Sequence, residues 1–350
     1  MSLNPALTTH NRQTGLSLVE LMISLTIGLV LLLGISTLIV QQNQARSEMD
    51  KSSRQIENGR YAMQLLHDDI QLAGFYDGYS PASGVAINTP DSCLTTDNTA
   101  NLATTGNMGW INNATATYVP VPIYGYAAAA TDPTPSSCLN NYLPNTPVLV
   151  LRRASTSDPI PAASAVAANA IAVASGVEPT TYLQVSKCDT VAKPFVLGTS
   201  GYTLLEKDCT TTAKVRPYIV RTYYISRCSG TTCTATAADI PTLKVEEFVN
   251  GARTTVPLVD GIENIQFEYG IDTNGDGGPD SFASAPLSTN WRNVMAVRLH
   301  ILARNNETTA GYVDTKTYDL AGSSVSPGGA YKRHVYTQLV RANNPSGRRE

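Results

Sequence analysis

The feature that most constrains this chain is an apolar run of 25 residues, 16–40, which contains a single charge, Glu20. As a helix, a run of this length crosses the hydrocarbon core of a bilayer, which is about 30 Å thick. A secretory signal peptide has a shorter apolar stretch of about 7–15 residues, followed by a cleavage site with small residues. Here the run continues to Val40 and is followed by Gln-Gln-Asn-Gln. The run therefore predicts a membrane-spanning helix rather than a secretory signal peptide.

Glu20 sets this run apart from an ordinary membrane anchor. A carboxylate in hydrocarbon costs several kcal/mol unless it is paired. The segment before the run is polar, and Gly15 lies five positions before Glu20. Gly15, the apolar Leu16 and Glu20 together resemble the class III prepilin signal, which type IV pilins and type II secretion pseudopilins share. Most family members have Phe where this chain has Leu16.

This resemblance implies a maturation pathway and a role for Glu20. Residues 1–15 are expected to form a leader that prepilin peptidase removes by cleavage between Gly15 and Leu16, and Leu16 is expected to be N-methylated. The resemblance also implies that Glu20 meets the N-terminal amine of a neighbouring subunit during assembly. The alternative is a pair within one chain between the Leu16 amine and Glu20, which lie one helical turn apart.

The helical pattern continues beyond the apolar run, through residues 41–75. Apolar and small residues recur at alternating steps of three and four, with charged and polar residues between them. This spacing predicts one face of an amphipathic helix that ends near Gly74 and packs on a globular head. A coiled-coil stalk is the alternative. The predicted face consists of Met49, Ser52, Ile56, Gly59, Met63, Leu66, Ile70 and Ala73.

Residues 76–216 are rich in Ala, Thr, Ser and Pro and predict a loop-rich insertion. Residues 147–153 form its clearest strand pattern. Helix and coil cannot be distinguished in the alanine-rich segment 161–175. The β pattern is stronger in residues 217–350, where β-branched and aromatic residues alternate with polar ones. The predicted strands are 217–226, 243–249, 256–270, 293–304 and 331–340.

The fold class that follows is α+β, in the form of a type IV pilin fold. A long N-terminal helix spans the membrane with its first half and packs its amphipathic second half on a C-terminal antiparallel β-sheet head. Six cysteines lie after the apolar run, which in an exported chain predicts up to three disulfides with 15 possible connectivities. Free buried thiols are the alternative, and the shortest spacing makes Cys228–Cys233 the favoured local pair. The six are Cys93, Cys138, Cys188, Cys209, Cys228 and Cys233.

Three segments together resemble the PilW-type minor pilins of type IV pilus assembly and, more distantly, the J-type pseudopilin of type II secretion. They are the Asp-Ile-Gln-Leu-Ala-Gly-Phe that ends at position 75, the segment 258–272, and the Val-Arg-Leu-His-Ile-Leu-Ala-Arg that ends at position 304. The resemblance covers the first 75 residues or so and residues 215–340.

The resemblance implies a low-abundance subunit, inserted in the inner membrane with a periplasmic head and then incorporated in the pilus. Its implied partners are prepilin peptidase, other minor pilins and the major pilin through the N-terminal helix, and an adhesin at the pilus tip. A type II secretion pseudopilin and a tip adhesin or binding module are the alternative functions. The net charge of −3 without a basic cluster gives no indication of nucleic-acid binding. No catalytic motif occurs, so we do not expect an enzyme.

One segment has the spacing of a calcium ligand set. Asp272, Asn274 and Asp276 stand at positions 1, 3 and 5 of a loop with Gly277 at position 6, as at the start of an EF-hand loop. Asp280, at position 9, is a fourth candidate ligand. Position 12 is Ala283, where the EF-hand has a bidentate Glu. The alternative is a turn after a strand, which needs residues of the same types. Calcium is the one cofactor that the sequence suggests.

Overall fold

The computed structural model describes residues 15, 17–81, 86–94, 108–112, 117–190, 194–234 and 239–349. The chain divides into two compact units, Met1–Lys51 and Ser52–Glu350. Within the described residues, the helices are α1 (Leu18–Leu72), α2 (Ala162–Ala174) and α3 (Asn343–Gly347). The strands are β1 (Ala86–Asn88), β2 (Ile111–Asn112), β3 (Thr117–Pro120), β4 (Ile123–Tyr126), β5 (Val148–Ala154), β6 (Tyr182–Val185), β7 (Phe195–Gly198), β8 (Val215–Ser226), β9 (Thr242–Val249), β10 (Ala252–Asp260), β11 (Ile262–Ile271), β12 (Ser281–Ala283), β13 (Val294–Arg304), β14 (Tyr318–Leu320), β15 (Ser323–Val325) and β16 (Arg333–Arg341).

The predicted long helix is confirmed as α1, and its last part packs on the head as an amphipathic helix should. The predicted face is buried from Gly59 onward. Gly59 lies so close to the ring of Tyr336 that a Cβ atom at this position would overlap the ring. The helix ends at Leu72, and Gly74 follows with a φ of +74°, which a glycine adopts without strain.

At the start of the predicted face, the residues buried in the structure are not the ones that the spacing predicted. Ile56 is 41% exposed, whereas the polar Gln55 beside it is buried. The Gln55 side-chain amide donates hydrogen bonds to the carbonyl oxygens of Ala303, at 2.8 Å, and Lys332, at 3.1 Å. A buried amide is tolerated when its donors are satisfied, and these two bonds join α1 to the backbone on either side of the β13–β16 connection.

A first sheet has the strand order β10-β9-β8-β5-β4, and β6 joins it through β8 and carries β7. All pairings in this sheet are antiparallel. Every residue of β5 is buried, because both faces of the sheet are covered. Residues 76–216, expected to be a loop-rich insertion, therefore supply four of its strands (β4 to β7) and helix α2. The expected boundary at 216/217 falls inside β8.

A second antiparallel sheet has the order β12-β11-β13-β16. In its register Phe267 lies opposite Leu299, and Leu299 lies opposite Gln338. The alternation that predicted a half-buried strand holds, since Ile265, Phe267 and Tyr269 are all buried. The predicted strand 256–270 is two strands, because Gly261 turns the chain between β10 and β11 with a φ of +79°.

Two of the clusters of buried apolar residues contain most of the core among the residues that the structure describes. The larger core joins the buried face of α1, including Leu66 and Ile70, to the two sheets. The smaller core lies around Trp110, whose ring makes edge contacts with Tyr76 and Phe195 at centroid distances of 4.7 and 4.8 Å. Such aromatic pairs contribute about 0.5–1.5 kcal/mol each beyond the area they bury. The architecture of the described residues is thus a long apolar helix followed by antiparallel sheets, in agreement with the predicted α+β pilin-like fold.

Candidate assembly site

The first part of α1 is the segment to which the sequence assigns the assembly features. Among the described residues, α1 is the one helix long and apolar enough to cross a membrane. Its apolar side chains are exposed along the chain, with Leu18 at 75% and Val30 at 68%. Exposed apolar surface of this extent requires a lipid or protein environment. This stretch is therefore the surface by which the chain meets a bilayer or the helices of other subunits.

Three hydroxyl side chains within the apolar stretch are satisfied by the helix itself. Ser24 donates to the Glu20 carbonyl at 2.6 Å, Thr26 donates to the Ile23 carbonyl at 2.8 Å, and Thr37 donates to the Gly34 carbonyl at 2.8 Å. In hydrocarbon there is no water to take these bonds, so back-bonding to a carbonyl one turn earlier removes most of the cost of a hydroxyl. These polar residues are therefore compatible with an apolar surrounding.

Glu20 differs from these hydroxyls. Its side chain lies in the first turn of α1, where the helix dipole favours a negative charge. It is exposed, and none of the residues that the structure describes pairs with its carboxylate. Gly15 is described and exposed, whereas Leu16 lies outside the described residues. The cleavage, the methylation and the pairing of Glu20 therefore stay predictions at this point.

The six cysteines form three disulfides in the structure. Cys93 pairs with Cys138, Cys188 pairs with Cys209, and Cys228 pairs with Cys233. The Cα–Cα distances are 5.7, 5.1 and 5.7 Å, inside the usual range for this bond. The local Cys228–Cys233 pair favoured by the sequence is among them. Two of the three bonds close loops within residues 76–216, beside the strands that this segment adds to the first sheet.

The candidate calcium loop is held together by its own hydrogen bonds. The Asp280 carboxylate accepts bonds from the backbone N–H of Thr273 at 2.7 Å and from the Thr273 hydroxyl at 2.8 Å. The Asn274 side-chain amide donates to Asp276 at 3.0 Å. Among the described residues, no three His, Cys, Asp or Glu side chains come together as a group that could hold a metal ion.

Asp272, the first candidate calcium ligand, is buried and already has three donors. Its carboxylate accepts the backbone N–H of Gly275 at 2.6 Å and of Gly277 at 3.0 Å, and it forms an ion pair with Arg349 at 2.9 Å. Burial alone would raise the pKa of Asp272, but these donors outweigh it and hold the pKa below its ordinary value. A calcium ion at this carboxylate has to compete with the guanidinium of Arg349.

A second polar cluster in the head was not predicted from the sequence. Asp69 on α1 is 3% exposed and accepts bonds from Arg153 at 3.0 Å, Arg221 at 2.9 Å and the Tyr223 hydroxyl at 2.9 Å. The donors come from β5 and β8, so the cluster joins the helix to the first sheet. Its central carboxylate is buried and has donors from both strands, so the cluster acts as a structural contact.

Comparison with known families agrees with the division of the chain into an apolar N-terminal helix and a β-rich head. The family described as type IV pilus-assembly protein W matches residues 222–344, from within β8 into α3. The prokaryotic N-terminal methylation motif matches residues 10–36, which include Gly15, Leu16 and Glu20. Searches of curated proteins and of solved structures gave no match.

The two matches fall on the two parts that carried the sequence resemblance. The motif and the apolar helix anchor the chain in the inner membrane, with a periplasmic head and incorporation into the pilus. The family to which the head is similar is a structural component of the pilus. Both matches support a PilW-type minor pilin of type IV pilus assembly.

Proposed function

We propose that this minor pilin joins other minor pilins in the complex that primes pilus polymerisation and lies at the pilus tip. The observation that carries the proposal is the combination of an apolar helix headed by Glu20 with a large, disulfide-bonded head. The helix is the part of a pilin that packs among other pilin helices. The head unit has 299 residues, from Ser52 to Glu350. A head of this size fits best at the end of a filament, where no further subunit has to stack above it.

Maturation in this proposal begins with cleavage between Gly15 and Leu16 by prepilin peptidase. The new amine of Leu16 is then methylated and keeps its positive charge. In the apolar interior of a filament, this amine and the Glu20 carboxylate of a neighbouring subunit neutralise each other, and the low dielectric strengthens their attraction. Glu20 then fixes the register of one helix against the next. The exposure of its carboxylate on α1 is consistent with a partner outside the chain.

The proposed partners are other minor pilins and the major pilin through α1, and an adhesin presented at the tip. The test is targeted mass spectrometry of the N-terminal peptide in the sheared pilus fraction and in the cell membrane. We expect a peptide that begins with N-methyl-Leu16 in the pilus fraction. A processed peptide found in the membrane fraction alone would contradict incorporation and favour a complex that stays behind, or a secretion pseudopilin. An uncleaved chain in both fractions would contradict the proposed maturation.

Replacement of Glu20 tests the role of its carboxylate. We expect Glu20→Ala to be cleaved normally, because the scissile bond precedes Leu16, but to be strongly reduced in the sheared pilus fraction. Glu57→Ala is the matched control, since Glu57 is an exposed acid further along the same helix. Immunoblots of both fractions report the ratio of incorporated to membrane-bound protein. Equal incorporation of Glu20→Ala and wild type would overturn the proposed pairing.

A further inference from the structure

A cavity of about 580 Å³ lies in the head, beside the end of α1. Ligand sites typically have volumes of about 300–1,000 Å³, so the cavity is large enough for a short peptide segment. It is formed by the segment after α1, by β1 and β3, by the start of β13 and by the C-terminal segment. No Asp or Glu is among the described residues that line it. The cavity is therefore a cationic site in a protein whose net charge is −3.

The floor of the cavity is apolar and rigid. Tyr76 is 1% exposed, and its hydroxyl donates to the Pro120 carbonyl at 3.3 Å, which fixes the ring. Val119 and Met295 are also buried, at 3% each or less. Proline rings complete the wall and hold the backbone around them in a fixed conformation. Such a floor accepts an apolar side chain with little loss of conformational freedom in the protein. The prolines are Pro81, Pro120, Pro122 and Pro345.

Three arginines line the same cavity, and they differ in what they contact. Arg349 forms an ion pair with Asp272 at 2.9 Å and donates a hydrogen bond to the Asn293 side chain at 2.7 Å. Arg348 donates to the Gly74 carbonyl at 2.6 Å and lies 5.7 Å from the centre of the Tyr76 ring, and no Asp or Glu among the described residues forms an ion pair with it. Arg292 is exposed, and no described residue forms an ion pair with it.

Two guanidinium groups, those of Arg292 and Arg348, therefore keep uncompensated charge at a cavity with an apolar floor. Guanidinium groups match carboxylates in geometry and form charge-assisted bonds with them. An inorganic anion could pair with the two guanidinium groups but would leave the apolar floor of the cavity unfilled. The arrangement is complementary to an anion with an apolar part next to its carboxylate.

We propose that this cavity binds an acidic peptide segment of a partner protein, with a carboxylate between Arg292 and Arg348 and a neighbouring apolar side chain on the Tyr76 floor. The proposal concerns the head alone and does not depend on a position at the pilus tip. It assigns a protein-binding site to a part of the molecule that is separate from Glu20 and the apolar helix.

The experiment measures binding of a labelled probe to the full chain in detergent by fluorescence anisotropy. The probe is a fluorescein-labelled hexapeptide, Gly-Ser-Gly-Leu-Asp-Glu, with a free terminal carboxylate. We expect saturable binding that weakens with salt, and at least a tenfold loss of affinity in Arg292→Gln and in Arg348→Gln, because each removes a charge-assisted bond. A second probe with Ser in place of Leu tests the apolar floor and should also bind more weakly.

Arg54→Gln is the control variant, since Arg54 is an exposed head arginine outside the cavity and its replacement removes the same charge. Thermal melts establish that each variant is folded. Because Arg292 is exposed, we expect Arg292→Gln to leave the melting temperature unchanged. An equal loss of affinity in Arg54→Gln would show general charge attraction and overturn the proposal. Complete displacement of the probe by equimolar phosphate would overturn the peptide assignment.

Discussion

A single buried carboxylate, that of Asp69, connects the long helix to the first sheet. Its three donors come from two strands, and the nearest of them in sequence, Arg153, is 84 residues away. Asp69 and Arg153 are only 3% and 9% exposed, so the pair is shielded from water. A buried ion pair contributes little net stability compared with apolar residues of the same size, but the loss of one partner leaves an uncompensated charge.

Replacement of Asp69 should therefore destabilise the head strongly. In Asp69→Asn the side-chain amide would face the guanidinium groups, and Arg153 would stay buried without a counter-charge. We expect a loss of about 3–5 kcal/mol in the free energy of unfolding, measured by thermal melts of the full chain in detergent. Asp68→Asn is the matched control, because Asp68 is the adjacent residue and is exposed. A change as small in Asp69→Asn as in the control would contradict the structural role.

The burial of Asp69 and its contacts with the first sheet were not predicted from the sequence, for a physical reason. Helical periodicity assigns acids to the solvent side, because a carboxylate is rarely buried without a partner. The partners of Asp69 lie on strands that are distant in sequence, so nothing close to it indicates burial. Gln55 was missed for the same reason, since its acceptors are backbone carbonyls near residues 303 and 332. By contrast, Glu20 stands out in the sequence because the residues around it are contiguous and apolar, and its role in assembly stays a prediction.

Among the elements, the three long strands of the second sheet (β11, β13 and β16) were predictable, whereas β12 and most strands in residues 76–216 were not. β11 and β13 have 10 and 11 residues, and apolar residues alternate with polar ones in the middle of each strand, at 265–269 and 297–301. β4, β6 and β7 have only four residues each, which is too short to establish a period. Helix α2 consists mostly of alanine and has no side-chain cap, so its sequence indicates neither where it begins nor where it ends.

The disulfides of the head should differ in their contribution to stability. Cys93 and Cys138 are 45 positions apart, whereas Cys228 and Cys233 are 5 apart. On the chain-entropy account, the longer loop contributes about 4 kcal/mol and the shorter about 2 kcal/mol. The double variant Cys93→Ala/Cys138→Ala should therefore lower the midpoint of urea unfolding more than Cys228→Ala/Cys233→Ala does. The opposite order would contradict the entropic account for this head.

Calcium binding at the loop between β11 and β12 stays a prediction, and the structure sharpens its test. Because Arg349 contacts the Asp272 carboxylate, we expect binding only at millimolar calcium, detected as a rise in melting temperature. The rise should be absent in Asp276→Ala and larger in Arg349→Gln, which removes the competing charge. Magnesium, which requires a stricter octahedral geometry, is the control ion. No shift at millimolar calcium in wild type and in Arg349→Gln would contradict the site.

For the whole molecule, stability should depend on pH in the acidic range. Hydrogen bonds from the Thr273 backbone and hydroxyl lower the pKa of Asp280. Burial would raise the pKa of Asp314, but hydrogen bonds from Arg333 and the Tyr318 hydroxyl outweigh it and hold the pKa below its ordinary value. The pKa values of Asp272 and Glu268 are lowered as well. Carboxylates with lowered pKa values stabilise the folded state above their ordinary pKa, and this contribution is lost as the pH falls through the folded-state pKa.

We therefore expect the melting temperature to be nearly constant between about pH 5 and pH 7 and to fall below about pH 4. Asp314→Asn should lower the melting temperature at pH 7 and reduce its slope between pH 4 and pH 2, because one of the responsible groups is gone. Asp319→Asn is the control, since Asp319 is exposed and lies in the adjacent hairpin. An unchanged slope in Asp314→Asn would contradict the contribution assigned to Asp314.

For the whole molecule, the order and type of the main secondary-structure elements were predicted better than the pairing between strands that are distant in sequence. The apolar helix, its amphipathic continuation and the antiparallel sheets follow from local patterns, and the family match to residues 222–344 agrees with the β-rich region. The way in which residues 76–216 enter the first sheet depends on pairing between distant segments, which local patterns do not encode. The cationic cavity was missed because its arginines are far from Tyr76 in sequence.

The pairing of β5 with β8 also bears on how such subunits can be recombined between species. A chimera joined at position 216/217 would take two hydrogen-bonded neighbours, β5 and most of β8, from different parents. The segment between β5 and β6, residues 155–181, is also bound to β8, because Ile160 exchanges two backbone hydrogen bonds with Val215 and Ser155 donates one to Pro217. A segment exchanged between such subunits therefore has to contain β5, residues 155–181 and β8 from one parent.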